Sequence, residues 1–144
     1  MTNQTAIDEF IAQDTLAVVG VSRDRTKFGN IVYRNLREKG YRVLAVHPAH
    51  NTVEGDPCYP NLAALPEPVD GIVVVVPPEV TEQIVREADA VGIRRVWLQP
   101  GAESTAAIRY CEEHGLDVIH DECVMVLAPR RRRRWPPDDA GFEV

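Results

Sequence analysis

Apolar residues gather in five short runs, Leu16–Gly20, Arg42–Val46, Gly71–Val76, Arg95–Leu98 and Asp117–Ile119. The first four are nearly continuous and lack the alternation of a strand with one wet face. They predict strands of a parallel sheet covered on both sides. Between them lie segments with helical spacing. Ile31, Val32 and Leu36 mark a helix that stops at Gly40, and Val80, Ile84, Val85 and Ala88 mark one that follows Pro77–Pro78 and stops at Gly92. A third runs from about Glu103 to His114 and stops at Gly115. A further helix is expected around Ala6–Ala12, before the first strand. The turn-rich stretch NTVEGDPCYPNLAALPEPVD leaves room for only a short helix near Asn61–Leu65.

Strands alternating with helices predict an α/β fold, a Rossmann-like doubly wound parallel five-stranded sheet in a single domain, with right-handed crossovers. Ligands of such sheets sit beyond the carboxyl ends of the strands. The loops to inspect are therefore Gly20–Gly29, His47–Asn51, Pro77–Pro78, Gln99–Gly101 and His120–Met125.

Composition narrows the class. The chain has 144 residues, 44% of them hydrophobic, enough for one sizeable core and too few for two ordinary domains. No apolar run approaches the roughly 20 residues that span a bilayer. The start, MTNQTAIDEF, lacks the basic and apolar regions of a secretory signal, so a cytoplasmic location is expected. Cys58, Cys111 and Cys123 form no CxxC pair and no zinc-like spacing with histidine, and His50, His114 and His120 lack companions, so neither disulfides nor a metal is expected. The formal charge of −6 is uneven: before residue 130 there are 11 Lys and Arg against 19 Asp and Glu. An acidic body argues against a general nucleic-acid surface. It also singles out the three cations Arg23, Arg25 and Lys27 in one loop. The expected organisation is a domain at 1–129 and an Arg-rich tail at 130–144. For the tail, a solvated segment, a weak RNA or anion contact beside Trp135, and stacking back onto the acidic body all stay open.

The stretch LAVVGVSRDRTKFGNIVYRNLREKG holds the chemistry. A strand there delivers the chain to a helix N-terminus, where free backbone N–H groups and the helix dipole favour an anion. Gly20 and Gly29 would let the backbone approach a phosphate, Ser22 adds a hydroxyl, and Arg23, Arg25 and Lys27 add charge. The alternative is that the glycines only turn the chain. A nicotinamide dinucleotide fits poorly. The G-x-G-x-x-G spacing is absent, and VHPAHN stands where an acid would hold the ribose hydroxyls. Lys27 is followed by Phe28, so no Walker loop exists, and no G-x-S-x-G nucleophile elbow occurs. A diphosphate ligand with extra negative charge remains, and coenzyme A meets that description through its 3′-phosphate.

The order GVSRDRTKFGNIVYRNLREKGYRVLAVHP, CYPNLAALPEPVDGIVVVVPPE, VWLQPGAES and DECVMV resembles the small bacterial CoA-binding proteins related to the N-terminal domain of the succinyl-CoA synthetase alpha subunit. The resemblance covers about Thr15–Pro129. It implies that the Gly20–Gly29 loop holds the CoA phosphates, with Val21, Ser22 and Lys27 closest. It places His47 and Pro48 beside the nucleotide, and matches Val76, Pro77 and Pro78 to the family's V-P-P turn and Gln99, Pro100 and Gly101 to its next turn. Pro77–Pro78 serves equally well as a structural exit from the third strand. Cys123 matches the cysteine of a D-x-C pattern with Asp121. It reads either as a buried small hydrophobe or as a thiol near the end of the pantetheine arm. The ligase half of the synthetase has no counterpart in 144 residues. The expected function is thus a CoA or acyl-CoA binding carrier, sensor or partner subunit without complete catalytic machinery, its oligomeric state unread. The alternatives are an NAD(P)-dependent oxidoreductase or nucleotide-sugar enzyme, and an interaction protein whose tail binds RNA or an acidic partner.

Overall fold

Strands buried on both faces occupy the middle of the sheet. Leu16 and Val18 point to one face and Ala17 and Val19 to the other, the period-two geometry of a strand, and all four are buried. The computed structural model describes residues 3–131. In chain order the elements are α1 (Asn3–Ile11), β1 (Thr15–Val19), α2 (Phe28–Glu38), β2 (Arg42–Val46), β3 (Thr52–Val53), β4 (Asp56–Tyr59), a 3-10 turn (Leu62–Ala64), β5 (Gly71–Val74), α3 (Pro78–Ala90), β6 (Arg95–Leu98), α4 (Thr105–Glu113), β7 (Asp117–Ile119) and α5 (Val124–Leu127).

The strand order is β3-β4-β2-β1-β5-β6-β7, with every pair parallel except β3 with β4. The chain leaves β1 in one direction to β2 and returns on its other side as β5. The switch point therefore lies between the carboxyl ends of β1 and β5, the place where such sheets bind ligands.

One face of the sheet is covered by α1, α2 and α5, with Phe10, Val32, Tyr33, Leu36, Trp97 and Val124 in its core. Phe10 meets Trp97 edge to face at 5.2 Å, and the Trp97 indole donates to the Glu122 carbonyl at 2.9 Å. The other face is covered by α3, α4 and the 3-10 turn, over Ile72, Val74, Val85, Leu98 and Cys111. Because that turn is one short coil where a full helix would lie, a groove stays open between it and α3.

Seven strands replace the five expected. The two extra strands form a hairpin inside the stretch read as turns. Glu54 and Gly55 have φ of 53° and 77°, the two positive values that a two-residue turn between antiparallel strands requires. Pro57 within β4 and the two-residue length of β3 hid the pattern. The short helix expected near Asn61–Leu65 is the 3-10 turn, where Asn61 Oδ1 accepts the Ala64 N–H at 2.9 Å. The unexpected α5 carries the chain back over α2, where Lys39 Nζ donates to the carbonyls of Met125 (2.6 Å) and Ala128 (2.8 Å). Beyond it the Arg131 N–H donates to the Lys39 carbonyl at 2.7 Å, and its guanidinium pairs with Asp14 and lies 4.8 Å from the Tyr41 ring centre. The remainder of the basic run, Arg132–Arg134, and Trp135 lie outside the described residues.

Candidate functional site at the strand switch point

Packing accounts for both glycines of the β1–α2 loop. Gly20 has φ of 115°, and a Cβ there would lie 2.2 Å from the Val75 carbonyl oxygen. A Cβ on Gly29 would lie 2.2 Å from the Gly20 carbonyl oxygen. The first turn of α2 thus seats directly on the end of β1, which only a residue without a side chain allows.

Asn30 then locks the loop. Its side chain is fully buried; Nδ2 donates to the Ser22 carbonyl at 2.7 Å while Oδ1 accepts the Ser22 N–H at 3.0 Å. Further along, Asp24 accepts from the Thr26 N–H (3.0 Å) and hydroxyl (2.6 Å), bonds that hold its carboxyl below the usual range. Lys27 is the N-cap of α2 in extended conformation, and no side chain caps the helix. The Asn30 and Ile31 N–H groups donate to the Lys27 carbonyl at 3.1 Å, which leaves those of Phe28 and Gly29 for solvent or an anion.

The three cations of the loop are not equivalent. Arg25 Nε donates to Glu54 Oε1 at 3.1 Å, and Arg34 Nη1 (2.6 Å) and Asn30 Nδ2 (2.8 Å) donate to Glu54 Oε2. The Glu54 side chain is 1% exposed. Its burial pushes the carboxyl up, and the bonds from Asn30, Arg25 and Arg34 outweigh that, leaving it below the ordinary range. Arg23 reaches Asn51 Oδ1 at 3.4 Å. Lys27 makes no ion pair among the described residues. Sequence reasoning missed Asn30 and Glu54. Asn30 carries a weak signal, a polar residue on the apolar side of a helix. Glu54 carries none, since its partners are 20 to 29 residues away.

Beside the loop, a cleft of about 500 Å³ opens at the ends of β1, β2 and β5. Of the residues picked out in the sequence, Gly20, His47, Pro48, Val76 and Pro77 line it. Val19, Val46 and Val75 of the strand ends line it too, and so do six residues that were not anticipated, Pro60, Asn61, Val80, Gln83, Ile84 and Glu87. These six come from the segment leading into the 3-10 turn and from one face of α3, whose spacing read simply as core. His47 Nδ1 accepts the Ala49 N–H at 3.0 Å, so the neutral ring carries its proton on Nε2. Its ring stacks on His50 with centres 4.4 Å apart, and burial followed by the charge of His50 holds it below the ordinary histidine pKa. Pro77 is the N-cap of α3 and Pro78 its first residue, the position where a missing N–H costs nothing.

The remaining picks sit elsewhere on the same edge. Val21 is buried in the core, so only its backbone faces the loop. Gln99 is 0% exposed; Oε1 accepts the Val124 N–H at 2.7 Å and Nε2 donates to Cys123 Sγ at 3.4 Å. The structure thus joins Gln99 to Cys123, a half-buried free thiol at the start of α5, and neither lines the cleft. Pro100 and Gly101 form the exposed turn that follows, Gly101 at φ of 97°. Cys58 and Cys111 are buried, and burial pushes the Cys111 thiol up to about 12. Among the described residues no group of three or more His, Cys, Asp or Glu could hold a metal ion, and no helix is long and apolar enough to cross a membrane.

Comparison with known proteins adds an independent line. Residues 14–129 match the family described as CoA binding domain. A conserved hypothetical protein from Pyrococcus furiosus of known structure is 42% identical, with a TM-score of 0.75, covering 78% of this chain and 97% of that one. A hypothetical protein from Pyrococcus horikoshii is 30% identical, with a TM-score of 0.81, covering 88% and 89%. Among curated proteins, acetate–CoA ligase (ADP-forming) I from Archaeoglobus fulgidus is 27% identical over 122 residues, which are 78% of this chain and 18% of the ligase. The chain spans under a third of the length of the first curated relatives it matches. These matches lend no support to the oxidoreductase alternative.

Proposed function

This chain belongs to the CoA-binding domain family, and we propose that it is a cytoplasmic module that holds coenzyme A or an acyl-CoA for another protein, as carrier, sensor or partner subunit, without completing a reaction itself. One observation carries the reading: an uncapped N-terminus of α2 and an apolar cleft meet at Gly20, on the switch point of the sheet. The diphosphate would lie over the first turn of α2, held by its N–H groups and by Ser22 and Lys27. Arg23 lies near enough to answer a further phosphate, and Arg25 would do so only by leaving Glu54. The nucleoside would enter the cleft against His47, Pro48, Val76, Pro77 and the start of α3 at Pro78. The pantetheine arm would cross the ends of β5 and β6 toward Gln99, Pro100, Gly101 and Cys123. CoA supplies a thiol that carries acyl groups; the chain's own residues bind it, orient it and shield one side from water. The body that does this is residues 1–129, with 130–144 as an appended segment.

Thermal denaturation tests the reading. A ligand that binds only the folded state raises its melting temperature. CoA is expected to do so, and NAD and NADP are not. Stabilisation by NADP equal to that by CoA would overturn the assignment.

A further inference from the structure

Spacing left His50 without a companion, and the fold supplies one. Its ring stacks on that of His47, with centres 4.4 Å apart and planes at 29°. His47 lines the cleft at the end of β2. Its Nδ1 is engaged by the Ala49 N–H, whereas His50 makes no hydrogen bond among the described residues. Arg23 of the β1–α2 loop reaches Asn51, the residue after His50, at 3.4 Å, and makes no ion pair among the described residues. Two imidazoles and a guanidinium thus gather where the first loop approaches the end of β2. In doubly wound sheets that place reads the ribose: an acid there accepts the hydroxyls, and a cation there answers a phosphate on the sugar. The carboxylates of the neighbouring elements have other partners. Asp24 of the loop is held by Thr26, and Glu54 of the hairpin by Arg25, Arg34 and Asn30. Glu87 of α3 is the one carboxylate in the cleft lining. From β4 the Tyr59 carbonyl and the Cys58 thiol meet the His47 backbone, and burial pushes that thiol's pKa up.

We infer that His47, His50 and Arg23 form a subsite for a phosphomonoester on the ribose, and that the stacked pair takes up a proton from solvent as this phosphate binds. This rests on the coenzyme reading, in which the group is the 3′-phosphate, and adds a proton linkage to it. Two stacked imidazoles repel each other when both are charged. In the free protein, burial and then the charge of His50 hold His47 below the ordinary histidine pKa, so its ring is mostly neutral near pH 7. A phosphate dianion reverses that balance, because an opposite charge within a few ångströms favours the imidazolium. The balance of the step is simple: solvent gives up one proton, one ring nitrogen gains an N–H, and that N–H donates to a phosphate oxygen.

The experiment is calorimetric titration with CoA and 3′-dephospho-CoA, which differ only in that phosphate, in buffers of high and low ionisation enthalpy. Between about pH 8 and about pH 6.5 the free phosphate stays largely dianionic, its second pKa being about 6. Across that range the advantage of CoA over dephospho-CoA is expected to grow by about 3-fold or more as pH falls, within the limit of roughly 10-fold per pH unit for one proton bound. CoA is also expected to bind with more proton uptake than dephospho-CoA. Cations acting on the phosphate alone would release protons, the opposite sign. His47→Gln and His50→Gln should each reduce the uptake and flatten the growth with pH. Arg23→Ala should shrink the advantage of CoA at every pH and leave its growth with acid in place. An advantage of CoA that does not change with pH in the native protein, or equal proton uptake with the two ligands, would overturn the inference and leave the coenzyme reading standing. So would a pH dependence that survives both histidine substitutions. Failure of CoA itself to bind would overturn both.

Discussion

Glu54 decides which cations of the first loop can serve a ligand. Its carboxylate draws Arg25, Arg34 and Asn30 onto itself, so these side chains hold the loop in shape, while Lys27 stands at the start of α2 with no ion pair among the described residues. Lys27→Ala should weaken CoA binding by roughly 1–3 kcal/mol, the worth of a charge-assisted contact, and leave the unliganded melting temperature unchanged. Arg25→Ala should show the opposite balance, a lower melting temperature with a smaller change in affinity. Calorimetry and thermal denaturation of the two variants separate the cases, and an unchanged affinity in Lys27→Ala would remove Lys27 from the site. At the same scale, Gln99 shows how a strand-end amide can read as a ligand contact and still be engaged within the chain, since its partners Cys123 and Val124 are 24 and 25 residues further on.

At the scale of elements, what was legible followed from local periodicity and what was not depended on distant partners. Strands β1, β2, β5, β6 and β7 and helices α1 to α4 are legible from local pattern and stop signals, and their order is enough to place the site on one edge of the sheet. The hairpin of β3 and β4 is fastened from outside: Tyr33 (2.7 Å) and Arg37 (2.6 Å) of α2 both donate to Asp56 Oδ2. Nothing within NTVEGDPCY reports those bonds. The cleft wall on α3 was hidden for a related reason, because Val80 and Ile84 serve the apolar face of a helix whether a neighbour covers it or not. The loop glycines were legible as important, though their role is closer packing than a phosphate cradle alone requires. Gly29→Ala tests that role. Its Cβ would stand 2.2 Å from a backbone oxygen that belongs to β1's end, so α2 must shift off the sheet. The expected cost is about 1–3 kcal/mol, as for overpacking elsewhere, read by chemical denaturation, with CoA affinity falling as well because the first turn of α2 moves. A variant as stable as the native chain would show that α2 is not seated as described.

For the whole molecule, the same buried carboxylate sets the response to acid. The folded pKa of Glu54 lies below its ordinary value, so as pH falls the unfolded chain takes up the proton first. The stability that Glu54 contributes is complete above the unfolded value near 4.3 and is lost as pH drops through the folded one. Glu67, held down by Arg42, acts in the same sense. So does His47, whose burial lowers its pKa and makes protonation favour the unfolded chain from about pH 6.5 downward. These contributions share one sign, so stability should decline steadily from neutral pH into acid. Glu54→Gln isolates the contribution of this carboxylate. It keeps the shape and removes the charge that Arg25 and Arg34 answer, so at pH 7 it should cost roughly 1–3 kcal/mol. As pH falls through the folded pKa of Glu54, which lies below the ordinary carboxylate value, the native glutamate becomes neutral and the two proteins should converge in stability. Denaturation midpoints of both across pH 3 to 8 supply the test. A gap that stays constant with pH would mean that Glu54 holds α2, the loop and the edge hairpin together by shape and not by charge.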